Sequence, residues 1–440
     1  METKSVERRS ANWKVRFFTI WTGQQLSWVG SAVAGFALVW WLTETTGSAT
    51  VLAMGTLITL LPNVLLGPLA GALVDRWNRR MVMLVADSVI ALFSAWLVYL
   101  FWTDAIQIWH VYAIMLVRAI GGAFHFPAMQ ASASLMVPEK HLPRVAGFNQ
   151  TIGGAVNIVS PPLGAFLLSV LPLHAIMGID VVTAVFAIVP LLFVRIPQPQ
   201  RAAKTVSMAG QKPTLLADVR EGLRYVWSWP GLLAICAMSM VINFLVHPAM
   251  SLLPILVTRH FGGGALQLGW INSAWGIGMV AGGLILGAWG GFRRRIATVL
   301  MGTFGLGVGI LLVGLAPATA FPLALAGMLL AAALNAMSSG SAFALLQQIV
   351  APEMQGRVFT LIMSLTTAIA PLGMAVAGPV ADAVGVRTWF VTGGIASVMM
   401  GIAGFLTPSI VHLEDNHKTQ AAVEETTSPP IEAQAGVGAK

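Results

Sequence analysis

Twelve long apolar segments restrict what this 440-residue chain can fold into. Each has roughly the 20 residues that an α-helix needs to cross the hydrocarbon core of a bilayer. A backbone surrounded by lipid must satisfy its hydrogen bonds within the segment, and a helix does so. The sequence therefore predicts twelve transmembrane helices, at residues 17–41, 49–74, 81–102, 108–128, 146–170, 174–194, 232–257, 268–290, 297–316, 321–343, 358–381 and 388–407.

The low content of charged residues excludes a soluble globular protein of this length. Asp, Glu, Lys and Arg make up 10% of the chain, whereas a soluble domain carries about 25%. The single Cys excludes a disulfide framework and any zinc or iron–sulfur site built on cysteines. We therefore expect an all-α integral membrane protein without a metal or cofactor.

Two landmarks recur along the chain and divide it into halves. The basic stretch at 71–80 returns at 287–295, and Val137-Pro138-Glu139 returns as Ala351-Pro352-Glu353, with shifts of 216 and 214 residues. These shifts predict a duplicated six-helix unit, an architecture of secondary transporters that bind substrate between the halves near mid-membrane. The predicted parts are an N-terminus (1–16), a six-helix bundle (17–194), a linker with an amphipathic helix (195–231), a second six-helix bundle (232–407) and a disordered tail (408–440).

The basic residues predict the orientation of the chain in the membrane. With the N-terminus inside, 22 of the 25 Lys and Arg residues fall in inner loops and tails, while Arg259 and Arg387 fall in outer loops. This distribution follows the positive-inside rule and places both termini in the cytoplasm. It also accounts for the net charge of +8, so nucleic acid is not expected as a partner.

Three charged side chains fall inside the predicted segments: Asp87, Arg118 and Asp180. An unpaired charge at the bilayer centre costs about 2.5–3.5 kcal/mol, so each needs a partner or a function. Helical rise places Arg118 and Asp180 at similar depths, and we predict that they pair or share a water-filled cavity, with Asp87 nearer the inner end. A structural ion pair is one interpretation. The other is proton coupling through Asp87, Asp180 or Asp75 at the membrane edge, where a change of surroundings binds and releases the proton.

Uncharged residues inside the segments provide further candidates. Gln24, Asn243 and His247 lie on the first and seventh segments, which are expected symmetry mates at the centre, and are predicted to face a substrate cavity. Proline and glycine in the fifth and eleventh segments either shape the bundle or act as pivots. These candidate bending residues are Pro161, Pro162, Gly164 and Pro371.

The sequence lacks the motifs of ATP hydrolysis and of common hydrolases. It contains no Walker A loop, no H-E-x-x-H and no G-x-S-x-G. We therefore expect neither ATP-driven transport nor an enzyme, and we assign no catalytic or metal-ligating residue. A membrane sensor would need a soluble effector domain, for which the 33-residue tail is too short.

Several stretches resemble the major facilitator superfamily. Residues Gly71-Ala-Leu-Val-Asp75-Arg76-Trp77-Asn78-Arg79-Arg80 resemble its loop signature G-x-x-x-D-R-x-G-R-R, with Asn78 in place of Gly. The stretch Arg118-Ala-Ile-Gly-Gly122 resembles the fourth-helix motif of proton-coupled members. Ser160-Pro161-Pro162-Leu163-Gly164 resembles, in degenerate form, the fifth-helix motif of drug antiporters. From about Trp13 to Leu406 the chain is similar to the macrolide efflux branch, for example at Trp21-Thr-Gly-Gln24 and Gly356-Arg-Val-Phe359.

This resemblance implies a twelve-helix transporter that exports macrolides or other amphipathic compounds in exchange for protons. It implies proton coupling at Arg118, bending at Pro161 and Gly164, and a gate whose residues are Gly71, Asp75, Arg76, Arg79 and Arg80. Related branches export siderophores or move lysophospholipids, so these substrates stay open, as does a metabolite symporter or facilitator. We expect a monomer in a bacterial inner membrane, with lipid, protons and a small amphipathic substrate as its partners.

Overall fold

The computed structural model describes residues 13–74, 76–194, 196, 223–224, 226–227, 229–350 and 352–414. Within these residues, twelve helices are long and apolar enough to cross a membrane. The predicted all-α, twelve-helix architecture is therefore confirmed. We number these helices α1 Trp13–Thr46, α2 Ala49–Val74, α3 Arg79–Trp102, α4 Ile108–Met136, α5 Leu142–Val170, α6 Leu173–Phe193, α7 Pro230–Ser251, α8 Ala265–Trp289, α9 Arg295–Leu315, α10 Phe321–Ile349, α11 Pro352–Val384 and α12 Val386–Leu406.

Several helices extend beyond the apolar segments that predicted them. The fourth segment was predicted to end at 128, but α4 continues to Met136, and α10 continues past residue 343 to Ile349. The eleventh helix begins at Pro352, six residues before the predicted start at 358. A helix can leave the hydrocarbon core and keep its backbone hydrogen bonds while its side chains become polar. Hydropathy therefore locates the membrane-embedded part of each helix and misses the rest.

Local sequence explains where several helices begin and end. The side chain of Asn78, just before α3, accepts a hydrogen bond from the backbone N–H of Met81, which satisfies a free donor of the first turn. Pro230 opens α7, where its missing N–H costs nothing. Gly290 ends α8 with φ of +79°, a left-handed conformation that glycine adopts without steric cost.

Successive spanning helices alternate in direction, so the loops fall at two ends of the bundle. The basic end, as we name it, carries the start of α1 and the loops at 76–78, 137–141 and 290–294, with Arg76, Lys140, Arg293 and Arg294 in them. The opposite end carries the loops at 47–48, 103–107, 171–172, 260–264 and 316–320, and residue 385.

Helices α1–α6 and α7–α12 pack as two halves. In the N-terminal half, α1 packs against α5 and α6, and α3 packs against α4 and α6. In the C-terminal half, α9 packs against α10 and α12, while α8 packs against α10. Glycine permits close backbone approach there, because a Cβ added at Gly309 of α9 would lie 2.6 Å from the carbonyl oxygen of Gly327 on α10.

The two halves meet along two helix pairs, α2 with α11 and α5 with α8. Gly378 on α11 packs against Thr50 and Ala53 near the start of α2. Gly269 on α8 packs against Pro162 on α5. Thr50 and Gly378 lie close to the opposite end, and Gly269 lies in the part of α8 nearer that end.

The same helices are separated toward the basic end. A Cβ added at Gly71 near the end of α2, or at Gly287 near the end of α8, would meet no described atom within 4 Å. The described close contacts between the halves at Gly378 and Gly269 therefore lie toward the opposite end, and the two glycines near the basic end make no such contact.

The predicted linker and its amphipathic helix lie largely outside the described residues. Residues 223–224 and 226–227 are described and helical. Val226 is buried in a cluster of apolar residues with Leu232 and Cys236 of α7. This contact joins the end of the linker to the first helix of the second half.

The tail that was predicted to be disordered from residue 408 begins with a folded segment. A short helix, Pro408–Val411, is followed by Leu413, which is buried. The carboxylate of Glu414 accepts a 2.8 Å hydrogen bond from the backbone N–H of Ile296 at the start of α9, where a negative charge is favoured. Residues 408–414 therefore pack on the C-terminal half, and residues 415–440 lie outside the described residues.

Candidate translocation cavity and its charged side chains

A cavity of about 930 Å³ lies between the two halves. Its walls come from α1, α4 and α5 of the N-terminal half and from α8 of the C-terminal half. Seven amide side chains line it: Gln24, Gln25, Gln130, Asn149, Gln150, Asn157 and Asn272. Aromatic rings in the lining are Trp28, Phe126 and Trp275. Drug-sized ligands occupy sites of about 300–1,000 Å³, so volume and mixed lining suit a large amphipathic molecule.

The first of two polar clusters connects the cavity wall to a buried carboxylate. Asp87 on α3 is 8% exposed and accepts a 2.8 Å hydrogen bond from Nε2 of Gln24 on α1. Nε2 of His125 on α4 lies 3.2 Å from Oδ1 of Asp87. We name these three residues the Asp87 cluster. Because Gln24 and His125 line the cavity, its occupant can contact both side chains that contact Asp87.

The second cluster is built on the ion pair between Arg118 on α4 and Asp180 on α6. Asp180 is 1% exposed and also accepts hydrogen bonds from the hydroxyls of Ser31 (2.8 Å) and Ser94 (2.6 Å). Arg118 donates a 3.0 Å hydrogen bond to the Ser31 carbonyl. We name these four residues the Asp180 cluster. The pairing predicted from depth is present, and the added hydroxyls offset the cost of burying both charges.

The two clusters are stacked along three helices. Corresponding members are seven residues apart, which is close to two helical turns, so they share a helix face and lie about 10 Å apart along the axis. The corresponding members are Gln24 and Ser31 on α1, Asp87 and Ser94 on α3, and His125 and Arg118 on α4. The Asp87 cluster lies nearer the basic end, as predicted for Asp87 from its position in the segment.

The structure describes four of the five predicted gate residues. Asp75 lies outside the described residues, so its contacts stay a prediction. A Cβ added at Gly71 would meet no described atom within 4 Å, and Arg76 is exposed in the loop before α3.

Arg79 and Arg80 connect the start of α3 to neighbouring helices of the same half. Arg79 donates a 3.4 Å hydrogen bond to the carbonyl of Ala131 on α4. Arg80 donates to the carbonyls of Leu191 and Leu192 in the last turn of α6, where a positive charge interacts favourably with the helix dipole. These contacts lie within the N-terminal half, and a role in gating stays a prediction.

The predicted bending residues lie inside continuous helices. Helix α5 runs without interruption through Pro161 and Pro162, and α11 does so through Pro371. Gly164 permits close packing of α5 on α1, since a Cβ there would lie 2.9 Å from Cδ1 of Phe36. Pro161 lines the cavity. A pivot role for these residues stays a prediction.

Only one of the three residues predicted to face the substrate cavity lies in its lining. Gln24 lines the cavity, whereas Asn243 and His247 on α7 are not part of its lining. Asn243 donates a 2.9 Å hydrogen bond to the carbonyl of Ser239, one turn earlier in its own helix. The C-terminal wall is built instead by α8, with Asn272 and Trp275 among its residues.

His125, Ser31 and Ser94 are cluster members that sequence reasoning did not identify. A sequence signal for His125 exists: it follows Arg118 by seven residues and so lies on the same face of α4. Serine carries no comparable signal, because it is common in transmembrane helices as a partner in helix–helix hydrogen bonds.

Comparison with known proteins identifies the family. A family model described as transmembrane secretion effector (MFS_3) matches residues 12–436. The chain belongs to this family of the major facilitator superfamily. It is a multi-pass membrane protein, and the resemblance of its motifs to the superfamily is confirmed.

Three similar proteins of this superfamily are named as efflux proteins. Macrolide efflux protein A of Streptococcus pyogenes is 34% identical over 391 residues, which cover 89% of this chain and 95% of the relative. Macrolide efflux protein A of Enterococcus faecalis is 33% identical over 332 residues, covering 74% and 100%. Multidrug efflux pump Tap of Mycolicibacterium fortuitum is 27% identical over 402 residues, covering 88% and 94%. The chain is thus a transporter of the efflux type.

Solved structures share the fold at low sequence identity. The nucleoside transporter NupG has a TM-score of 0.67 at 13% identity, with 89% of this chain and 98% of that chain covered. A bacterial homologue of the iron transporter ferroportin in an inward-facing state has a TM-score of 0.62 at 16% identity, covering 88% and 98%. This likeness concerns the fold alone.

Proposed function

We propose that this chain exports amphipathic organic compounds, macrolides among them, across a bacterial plasma membrane in exchange for protons. One observation carries the proposal: a cavity large enough for a drug-sized molecule lies between the halves and touches a buried carboxylate through Gln24 and His125. The names of the relatives, macrolide and multidrug efflux proteins, support the substrate class.

The lining of the cavity fits an uncharged polar surface joined to an apolar one. Amide side chains donate and accept hydrogen bonds and can pair with the hydroxyl, ether and carbonyl oxygens of a macrocycle. Trp28, Phe126 and Trp275 offer flat apolar faces to the hydrocarbon part of such a molecule. A small metabolite would leave much of this volume unfilled.

Asp87 is the proton-carrying group in this proposal. It has the neighbours that a proton exchange needs, because Gln24 and His125 can rearrange when the cavity fills or empties. Asp180 is less suited, since Arg118, Ser31 and Ser94 already occupy its two oxygens.

Alternating access accounts for the asymmetry between the two ends. The halves are in contact near the opposite end, at Gly378 and Gly269, and the second state of the cycle would open that end and close the basic end. Asp382 on α11 accepts hydrogen bonds from the hydroxyl of Ser48 (2.9 Å) and from the backbone N–H groups of Ala49 (2.8 Å) and Thr50 (2.9 Å). This contact between the halves stabilises the closed opposite end and must break when that end opens.

The basic end faces the cytoplasm in this proposal, and both termini lie there. Lys and Arg are enriched in cytoplasmic loops of membrane proteins, and 22 of the 25 in this chain fall in the predicted inner loops, linker and tails. The cavity is then open to the cytoplasm, from which an exporter takes its substrate. A single chain contains both halves, so we propose that the monomer is the transporting unit.

Export is tested in a bacterial host that lacks its own drug pumps. We expect the chain to protect the host against erythromycin and to lower erythromycin accumulation, and we expect a protonophore to restore accumulation to the level of the empty host. A lack of protection against every macrolide, dye and chelator in a broad panel would exclude drug export. Accumulation that is insensitive to the protonophore would exclude proton antiport and favour a facilitator.

Matched tryptophan variants test the cavity. Trp275→Ala removes an aromatic face from the α8 wall, and Trp289→Ala removes an exposed ring at the end of the same helix. We expect protection to fall several-fold for Trp275→Ala and to stay near the parent level for Trp289→Ala at equal amounts of membrane-inserted protein. Equal protection by the two variants would place substrate binding elsewhere.

A further inference from the structure

A second cavity, of about 570 Å³, lies at the opposite end of the C-terminal half. It is bounded by the end of α11, the start of α12 and a short helix, Leu253–Arg259, that follows α7. Its polar lining includes Arg259, His260, Asp382 and Arg387. Neither the cavity nor its two arginines belong to the central cavity described above.

Both arginines that were predicted to lie in outer loops line this one cavity, one at the end of the short helix and the other at the start of α12. The positive-inside pattern leaves two Lys or Arg residues in those loops, Arg259 and Arg387, 128 residues apart in sequence. Folding places both of them in the lining of the same 570 Å³ space. Such convergence concentrates positive charge at the level where the membrane meets water.

The structure positions these basic groups without neutralising them. Nε of Arg387 donates a 3.0 Å hydrogen bond to the carbonyl of Gly314, which leaves its terminal N–H groups available. Nε2 of His260 lies 2.8 Å from the carbonyl oxygen of Ala316. Among the described residues, no carboxylate forms an ion pair with Arg259 or Arg387.

Asp382 carries one negative charge against the two positive charges of Arg259 and Arg387, so the lining keeps a net positive charge, and the Asp382 oxygens are engaged elsewhere. They accept three hydrogen bonds from residues 48–50 at the start of α2, where the helix dipole is positive. The side chain thus stabilises the contact between the halves and leaves two guanidinium groups facing the cavity.

The rest of the lining is largely apolar, and it is exposed at Val384 but buried at Ile255. Val384 is 60% exposed, and Ile255 and Val391 complete an apolar strip beside the arginines. A ligand that contacts both the arginines and the apolar strip carries an anionic group on a hydrocarbon chain. Guanidinium groups bind phosphate oxygens in a bidentate manner, and positive side chains near the surface attract anionic lipids.

We propose that this cavity binds the phosphate group of an anionic glycerophospholipid, with Arg259 and Arg387 on the phosphate and an acyl chain along the apolar strip. The site adjoins the contact between the halves, since a Cβ on Gly47 would lie 3.3 Å from Nη2 of Arg259. A bound lipid therefore stabilises the state in which the opposite end is closed, by binding that state in preference to the other.

The site is tested on the full-length purified protein by native mass spectrometry and thermal unfolding, with phosphatidylglycerol, phosphatidylcholine and inorganic phosphate as separate probes. We expect one retained phosphatidylglycerol and a stabilisation that phosphatidylcholine does not reproduce. The double variant Arg259→Gln/Arg387→Gln should bind phosphatidylglycerol roughly 10- to 100-fold more weakly.

Two further variants separate the site from general charge effects and from misfolding. Lys140→Gln/Arg293→Gln removes two exposed charges at the basic end and should leave the retained lipid unchanged. Arg259→Lys/Arg387→Lys keeps the charge but loses the bidentate geometry, and should bind with intermediate strength. The proposal is overturned if the double Gln variant retains phosphatidylglycerol as the parent does. It is also overturned if inorganic phosphate alone reproduces the stabilisation, because the site would then take a free anion.

Discussion

Gln24 on α1 donates a 2.8 Å hydrogen bond to Asp87 on α3, and it does so from the wall of the central cavity. A molecule that enters the cavity and recruits the Gln24 amide removes a hydrogen bond from a buried carboxylate without touching that carboxylate. His125 offers a second such connection, since it also lines the cavity and lies 3.2 Å from Asp87. Substrate and proton can therefore influence each other through two shared side chains.

Neutralising Asp87 should separate proton coupling from substrate binding. Asp87→Asn keeps a side chain that can accept from Gln24 but can no longer bind and release a proton. We expect at least a roughly tenfold loss of proton-driven export, with exchange of labelled for unlabelled substrate retained in proteoliposomes. The control is Asp104→Asn, which should leave both activities unchanged. Asp104 is an exposed loop residue with φ of 52°, a conformation that Asn also tolerates. Normal proton-driven export by Asp87→Asn would assign the proton to another group.

The ion pair between Arg118 and Asp180 should behave as one unit in a double-mutant cycle. Removing one partner leaves a buried charge without its counterpart, at a cost of about 3–5 kcal/mol. We expect Arg118→Ala and Asp180→Ala each to lower the melting temperature strongly, and the double variant to lose much less than the sum of the two. As a control, Arg118→Ala combined with Asp104→Ala should be additive, because distant sites are independent. Additivity of Arg118→Ala and Asp180→Ala would contradict the pairing.

The fold and the Arg118–Asp180 pair could be predicted because both follow from positions along the sequence. Hydropathy determines which segments cross the membrane, and counting residues from a segment end determines depth. Two charges at equal depth in one half then have few other partners. The position of Asp87 nearer the inner end follows from the same count.

Contacts that depend on helix rotation and packing could not be predicted in this way. His125 meets Asp87 only because α3 and α4 turn these faces toward each other. Asn243 and His247 were expected in the cavity from pseudo-symmetry, yet α8 supplies the wall on that side. Asp382 follows directly after the predicted end of the eleventh segment at 381, where a carboxylate has the appearance of an ordinary loop residue. Its partners, residues 48–50, are more than 330 positions away in sequence.

Asp382 should control how long the opposite end stays closed. Asp382→Asn removes a negative charge from the start of α2, where the interaction with a helix dipole contributes about 0.3–1 kcal/mol. We expect the population closed at that end to fall roughly two- to fivefold relative to the open one. Spin labels at Thr45→Cys and Ala383→Cys, in a Cys236→Ala background, report the separation by pulsed electron paramagnetic resonance. Asp104→Asn is again the matched control, and an unchanged distance distribution for Asp382→Asn would show that the contact does not determine the closed state.

Gly378 should be a position where one added methyl group separates the halves. A Cβ there would lie 2.8 Å from both Cα of Thr50 and Cβ of Ala53 on α2, so one of the two helices must move. Apart from such clashes, replacing glycine by alanine stabilises a helix by about 1 kcal/mol. Gly356 measures that effect alone, because it lies on the same helix and an added Cβ would meet no described atom within 4 Å. We expect Gly356→Ala to raise the melting temperature slightly and to keep export near the parent rate. Gly378→Ala should instead lengthen the distance between the labels at Thr45→Cys and Ala383→Cys and slow export several-fold, because closure of the opposite end is part of every cycle. Parent-like distances and export rates in Gly378→Ala would mean that α2 and α11 separate and rejoin without the close approach seen at this glycine.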